Sequence, residues 1–411
     1  MSSRHEVSIL GLNFPPEPTG IAPYTGALVA GLSQRGFSVT AHVAHPHYPE
    51  WRIREGYGQW TRNEHIDGVQ VSRHLHYVPR SPRGVRRLLS EISFGVRLVF
   101  AKWNSPEIVI AVSPSLFSTA MAVVKARLKY RRPRLIVWIQ DVYTLGLSET
   151  SEGSGFAAHV VRWVEAHTLR AADHVVVIHQ RFAEYAVEQL GVSAVRLTVV
   201  RNWTHLPPST EQMDRAAAKK ALGWPAGVTV AVHAGNMGVK QGLDNLIEAA
   251  KIADETMAPV HFILVGDGGE RQKLVELAKG TTRLTFVGTL DDEDYRRALS
   301  AADVLLVNEK PGVSAMAVPS KLTSYFDAGR PVVAATDPGG ITASEVAESC
   351  AGVVVRAGEP RALLAAVIDV GSNLEVAAEL GANGRRYRET VLDQSHAVEK
   401  FASLVRKLAD G

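Results

Sequence analysis

The 411-residue chain holds one cysteine, Cys350, which excludes an internal disulfide and points to a reducing compartment. No apolar run nears the ~18 residues a membrane-spanning helix needs. The opening MSSRHEVSILGLNFPPEP has no apolar core of secretory length, so a cytoplasmic protein is expected. No close internal repeat, coiled-coil heptad or low-complexity tract is present, which excludes solenoids and disordered arrays. A dinucleotide fingerprint is also missing: after the first apolar run there is only Gly11 and then Gly20, not G-x-G-x-x-G. What remains is the composition of an ordinary folded protein, 46% hydrophobic and 21% charged, with length for two domains.

The charge is unevenly shared. Residues 1–205 carry 23 Lys+Arg against 15 Asp+Glu, a balance of +8; the remainder carries 22 against 27, a balance of −5. The excess concentrates in PRSPRGVRRLL (79–89) and KARLKYRRPR (125–134). Short β-branched runs alternate with amphipathic stretches throughout. Strands are expected at 7–12, 37–43, 69–76, 107–112, 134–140, 174–178 and 195–200, with helices such as 23–35, 114–129 and 156–171 among them. After a break at RNWTHLPPSTEQ (201–212), the alternation restarts with strands at 228–235, 259–266, 283–288, 303–307, 331–335 and 352–355. Fully apolar strands alternating with helices predict parallel sheets covered on both faces, hence an α/β chain of two Rossmann-like domains facing a cleft. The expected division is 1–205 together with the final helix (393–411), and 206–392. Ligands of such sheets bind beyond the carboxyl ends of the strands.

Several loops at those ends draw attention. NFPPEPTGIA (13–22) holds three prolines in four residues, which fit neither strand nor helix, and Gly20 stands just before a helix. Such a turn either presents backbone N–H groups to an anion or is simply tight. HAGNMGVKQGLDNLIEAA (233–250) repeats the theme with Gly235, Asn236 and Gly238, and sets Lys240 at an expected helix start. VPSKLTSYFDAGRPVVAA (318–335) puts Pro319, Ser320 and Lys321 in a first helical turn. A cation is disfavoured there unless an anion meets it, so two lysines so placed suggest a diphosphate; the alternative is a solvated surface lysine. Asp141 ends the strand RLIVWIQD, where it is a base, a hydroxyl-positioning group or a loop cap. HPHYPEW (45–51) gathers His45, His47, Tyr48 and Trp51, a composition suited to a carbohydrate acceptor; the spacing does not suit zinc.

Taken in order, PPEPTGIAPYTGALVAGLSQRG, AGNMGVKQGLDNLIEAA, LVGDGGER, FVGTLDDEDYRRALSAADVLL and VPSKLTSYFDAGRPVVAA resemble the family-4 glycosyltransferases over nearly the whole chain. The likeness is nearest to the branch of colanic-acid-type exopolysaccharide and O-antigen enzymes. It implies a GT-B fold whose final helix crosses back onto the first domain. It also implies a retaining, metal-independent transfer from a nucleotide diphosphate sugar, with no cofactor required. Lys240 and Lys321 would then neutralise the diphosphate, aided by Ser320, Asn236 and Gly235. Backbone near Gly266, Val287 and Gly288 would hold the base. Gly20 and Ile21 would close on the phosphate, and Asp141 would stand where many members have a histidine. Many members also carry a Glu-x7-Glu pair; the matching positions here are Met316 and Ser324, with Glu309 nearby in an unassigned role.

The segment 79–103 mixes arginine with Leu, Ile, Phe and Trp, as an anionic-membrane contact or an ordinary packed helix would. The expected acceptor is a glycan or a polyprenyl-diphosphate-linked sugar at the inner face of the membrane. Rival readings are a non-hydrolysing nucleotide-sugar epimerase, which needs more acid/base groups than Asp141, and a catalytically degenerate sugar-nucleotide-binding subunit. Nucleic-acid binding is not expected, since the basic stretches lack an ordered aromatic surface.

Overall fold

The computed structural model describes residues 5–18, 20–81, 84–145, 155–203, 213–312 and 320–411; the side chains of residues 156, 157 and 320 lie outside the description. The chain divides into two compact units, Met1–His205 with Gln394–Gly411, and Leu206–Asp393.

The first unit is built on eight strands: β1 (Glu6–Gly11), β2 (Ser38–Ala44), β3 (Thr61–Ile66), β4 (Val69–His74), β5 (Ile108–Ser113), β6 (Arg134–Ile139), β7 (His174–Val177) and β8 (Leu197–Val199). They lie in the order β3-β4-β2-β1-β5-β6-β7-β8. The inner strands are Val, Ile and Ala runs buried on both faces, which is why helices cover both sides. Those helices are α1 (Ala22–Gln34), α2 (Val85–Phe100), α3 (Leu116–Leu128), α4 (Phe156–Arg170) and α5 (Gln180–Glu188).

The expectation of parallel sheets holds here except at one edge. β3 runs antiparallel to β4, pairing Thr61 with His74 and Ile66 with Val69. TRNEHI has no apolar run and alternates exposed with half-buried residues, as an edge strand does. Its Glu64 carboxylate accepts from the fully buried Arg73 of β4.

The second unit has β9 (Thr229–Ala234), β10 (Val260–Val265), β11 (Leu284–Val287), β12 (Val304–Asn308), β13 (Val332–Thr336) and β14 (Gly352–Arg356), ordered β11-β10-β9-β12-β13-β14 and parallel in every described pair. Its described helices are α6 (Arg215–Ala221), α7 (Asp244–Glu255), α8 (Arg271–Leu277), α9 (Asp292–Ala301), α10 (Ser320–Ala328), α11 (Ile341–Ser349), α12 (Pro360–Ser372) and α13 (Leu374–Thr390). Separate apolar clusters fill the two faces of this sheet.

The last helix, α14 (Gln394–Asp410), belongs to the first unit. Its Phe401 meets Trp138 of β6 edge-on, ring centroids 4.9 Å apart, and Trp138 stacks on Trp203. Val398, Phe401, Ala402 and Val405 are all buried there, so the chain end is part of that core. Of the segment expected as a linker, residues 204–212 lie outside the described residues.

Candidate functional site

In the second unit the loops after β9 and β10 touch backbone to backbone. Gly266 has φ +126, and a Cβ there would fall 2.2 Å from the Gly235 carbonyl oxygen. The Gly235 N–H donates to Val265 O (2.9 Å), Met237 N–H to Asp267 O (2.8 Å) and Glu270 N–H to Met237 O (2.9 Å). Val287 ends β11, and its carbonyl accepts the Gly266 N–H at 3.0 Å. Gly235, Gly266 and Val287 are thereby tied into one rim at the carboxyl edge of the sheet; Gly288 follows, exposed.

Lys321 lies in the first turn of α10 and is half-buried. Its ammonium would be 3.5 Å from a Cβ on Gly235, and it donates to His233 Nε2 at 3.4 Å. His233 is fully buried, and burial together with the Lys321 charge holds it well below the usual histidine range, hence neutral. Burial pulls Lys321 down to about 8, while the charge of Glu309 opposes that shift. Glu309 follows β12. Its carboxylate accepts from the hydroxyls of Thr336 and Thr342, the latter at 2.5 Å, and burial raises its pKa. His233, Glu309 and Lys321 thus form one electrostatic group beside the rim. The sequence offered no sign of His233, which sits inside a strand.

Lys240 is placed differently from expectation. It belongs to a single 3₁₀ turn, Val239–Gln241, and α7 begins only at Asp244, because Gly242 in the left-handed region (φ +54) separates them. The turn is fixed from below: Asn308 Nδ2 donates to Gln241 O and Gly242 O, both at 2.8 Å, and Lys310 N–H to Lys240 O at 2.9 Å. The Lys240 side chain is exposed, as is Asn236. Ser320 starts α10, but its side chain lies outside the described residues, as do Pro319 and Met316. Ser324, on α10, hydrogen-bonds Tyr295.

In the first unit a cavity of ≈ 210 Å³ is lined by Asn13, Gly20, Ile21, His47, Tyr48 and Trp51 on one side, and by Arg87, Ser90, Glu91 and Pro114 on the other. The opening loop and the HPHYPEW loop therefore share one wall. Glu17, almost fully buried, joins them. Its Oε1 accepts the N–H groups of His47 (2.8 Å) and Tyr48 (2.9 Å), and its Oε2 accepts from Asn13 Nδ2 (2.9 Å). Arg73 clamps the same loop from beneath, donating to Pro15 O at 2.5 Å and Ala44 O at 3.3 Å. The start of α1 has Pro23 in its first turn and no carboxylate to offset its N–H groups.

His47 Nδ1 lies 3.2 Å from Glu17 and 2.9 Å from His45 O. His45 is fully buried behind the wall, bonded through Nε2 to Gln59 O (2.8 Å), and does not line the cavity. Across the cavity, Tyr143 donates to Glu91, and Arg87 lies over the Tyr143 ring. Burial raises the Glu91 pKa and lifts that of Tyr143 well above its usual value. Asp141 is half-buried beside this group, adding to the positive shift of Arg87, and is not in the cavity wall. Glu17, Arg87 and Glu91 are the residues that sequence reasoning missed. Thr19 lies outside the described residues.

Residues 19–203 match the family described as a glycosyl transferase 4-like domain, and residues 228–373 match glycosyl transferases group 1. The chain is 30% identical over 415 residues to WcaI of Escherichia coli (strain K12), named as a colanic acid biosynthesis glycosyl transferase; the match covers 98% of this chain and 100% of that one. It is 24% identical over 331 residues to the glycosyltransferase WbjE of Pseudomonas aeruginosa, covering 79% and 80%. Among solved structures, sucrose-phosphate synthase from Thermosynechococcus elongatus superposes with a TM-score of 0.72 at 19% identity, covering 98% of this chain and 99% of that one. Anabaena HepE in complex with UDP gives 0.69 at 16%, covering 98% and 100%. These likenesses establish the GT-B fold.

Proposed function

The chain belongs to the glycosyltransferases that join a 4-like domain to a group 1 domain, and on that footing we propose that it moves a sugar, with retention, from a nucleotide diphosphate donor to a glycan or polyprenyl-diphosphate-linked acceptor in cell-surface polysaccharide synthesis. The observation that carries the donor half is the half-buried Lys321 ammonium, held against neutral His233 beside the Gly235–Gly266 rim. A cation placed at a helix start costs free energy until an anion arrives. The diphosphate would lie between Lys321 and Lys240, beside the exposed Asn236, and the base against Gly266, Val287 and Gly288. Glu309 would tune Lys321 and not touch the donor, since two threonine hydroxyls occupy its carboxylate.

The acceptor would enter the first unit's cavity, stacking on Tyr48 and Trp51. His47 and Arg87 line the same cavity, and Gly20 and Ile21 offer the N–H groups at the start of α1. In the reaction the anomeric C–O bond to the diphosphate breaks, a bond to the acceptor oxygen forms on the same face, and the hydroxyl proton passes to the leaving phosphate. Charge growing on that phosphate would be met by Lys321 and Lys240, so the step would need no metal. Asp141 would orient the acceptor hydroxyl through Arg87. The names of the relatives support the polysaccharide context, and HepE bound to UDP supports a uridine donor.

The test is a thermal-shift titration with UDP, GDP, ADP and dTDP in chelator. One diphosphate should raise the melting temperature in proportion to ligand excess. Lys321→Ala should abolish most of the rise, and Lys240→Ala should reduce it. A rise unchanged in both variants would remove the donor site from this edge of the sheet. Donor binding without transfer to any lipid-linked acceptor would favour a sugar-nucleotide-binding subunit, consistent with serine at position 324.

A further inference from the structure

The two basic stretches that lie far apart in the sequence meet on one surface. α2 and α3 run side by side in the same direction. Phe117 N–H donates to Glu91 (3.2 Å), Gly95 packs against Met121, and Lys125 Nζ caps the end of α2 on Leu98 O (3.0 Å) and Ala101 O (2.5 Å). Across 79–103 and 114–134 the sequence has twelve Lys/Arg and a single carboxylate, Glu91, which is buried.

The outer face of this pair is apolar. Val85, Leu89, Val96 and Phe100 recur at helical spacing along one stripe of α2, although the opposite face of that helix already supplies the core through Phe94 and Leu98. Val85 is 69% exposed and Phe100 81%. At the end of α3, Leu128 is 80% exposed and Tyr130 fully exposed. Trp60, also exposed, flanks α2 under the guanidinium of Arg97 (3.6 Å to the ring). Arg86, Lys102, Arg131 and Arg132 stand exposed around these apolar tips. A helix that is apolar on both its faces, rimmed by cations and aromatics, has the pattern of an interfacial helix, for which neither apolar burial nor charge suffices alone.

We propose that the outer face of α2, together with the end of α3 through Tyr130, is a docking surface for an anionic lipid bilayer. Phe100, Leu128 and Tyr130 enter the headgroup boundary, and Arg86, Lys102, Arg131 and Arg132 meet lipid phosphates. The charge selects this occupant: a second copy of the same surface would set cation against cation. No described helix is long and apolar enough to cross a membrane, so the contact is peripheral. This deepens the reading of a lipid-linked acceptor, because the first turns of α2 also carry Arg87, Ser90 and Glu91 into the cavity wall. Docking would hold that cavity at the lipid surface.

The experiment is co-sedimentation of the full chain with vesicles of equal parts phosphatidylglycerol and phosphatidylcholine, and with phosphatidylcholine alone. Binding to the mixed vesicles is expected, weakening as salt rises. Phe100→Glu/Leu128→Glu should reduce it more than tenfold, and Arg131→Glu/Arg132→Glu should reduce both the binding and its salt dependence. Val195→Glu, at an exposed position elsewhere on the unit, should leave it unchanged. Nucleotide-induced melting shifts, measured on the same variants, should stay at the parent value, so a failed docking surface is told apart from a failed donor site. Absence of binding, equal binding to phosphatidylcholine, or loss of a self-associated species in Phe100→Glu/Leu128→Glu without vesicle binding would each overturn the proposal.

Discussion

In the second unit, Gly266 lies against Gly235 and the rim is laced by main-chain hydrogen bonds between loops about 30 residues apart. In the first, the comparable rim is held by a carboxylate, Glu17, and a guanidinium, Arg73, both buried. The two units share a strand–helix plan yet fix their loops by different means. A backbone-built rim depends on residues that lack a side chain, leaving space for a ligand to approach main-chain N–H groups. A side-chain-built rim depends on buried polar groups that must all be satisfied, but it can vary the residues facing the cavity while the brace behind stays put. The first suits a constant feature such as a diphosphate. The second suits an acceptor.

The largest effect should come from breaking the backbone rim. In Gly266→Val the new Cβ meets the Gly235 carbonyl, and φ +126 is a region that β-branched residues avoid. Destabilisation of at least ~3 kcal/mol is expected. Peptide-resolved hydrogen exchange should show faster exchange in β9, β10 and β12, with the first unit unchanged. Faster exchange across both units would mean that the two rims are not independently built.

Next comes the side-chain rim. Glu17→Ala leaves the N–H groups of His47 and Tyr48 and the amide of Asn13 without their acceptor in a buried site. The cost should be about 2–3 kcal/mol, appearing as faster exchange over residues 13–21 and 45–51. Nucleotide-induced melting shifts should persist, since the donor rim uses none of these groups. Glu17→Gln keeps one acceptor oxygen and should recover part of the loss. Full nucleotide response in Glu17→Ala and its absence in Gly266→Val would sharpen the contrast between the units.

The same contrast explains what could be read from the amino-acid sequence. In the second unit the expected strands agree with β9 to β14 to within a residue or two, and Gly235, Gly266 and Lys321 gather at one rim. Glycine and lysine at a strand-to-helix turn are local signals, and the neighbouring loops follow from the order of strands in a parallel sheet. Lys240 misled because Gly242 ends its turn before the helix begins. In the first unit Tyr48, Trp51, Gly20 and Ile21 share a cavity, but the residues bracing them were not legible. Glu17 acts on positions 30 residues away, Glu91 on Tyr143, and Arg73 on an edge strand whose polar alternation hides it. A buried carboxylate looks like a surface one until its partners are known. His45 was misread for the same reason: composition located the loop but not which of its side chains faces inward.

The smallest effect tests the electrostatic side of the donor rim. Lys321 titrates near 8 instead of about 10.5 because burial disfavours its charge. Below that value the ammonium meets the diphosphate; above it, a neutral amine does not. The terminal phosphate of UDP is already ionised above about pH 7, so the protein's own titration governs the trend. The dissociation constant for UDP should rise about tenfold between pH 7 and pH 9, close to 1.4 kcal/mol, and in Lys321→Met that slope should flatten. Stability of the unliganded protein should move the opposite way. From about pH 8 upward the unfolded chain holds a proton that the folded one has released, so folding is favoured as pH rises toward the unfolded pKa. Weaker binding by a more stable protein is a combination that general alkaline unfolding does not produce. If binding and stability instead fall together, or Lys321→Met keeps the slope, the titrating group is not Lys321.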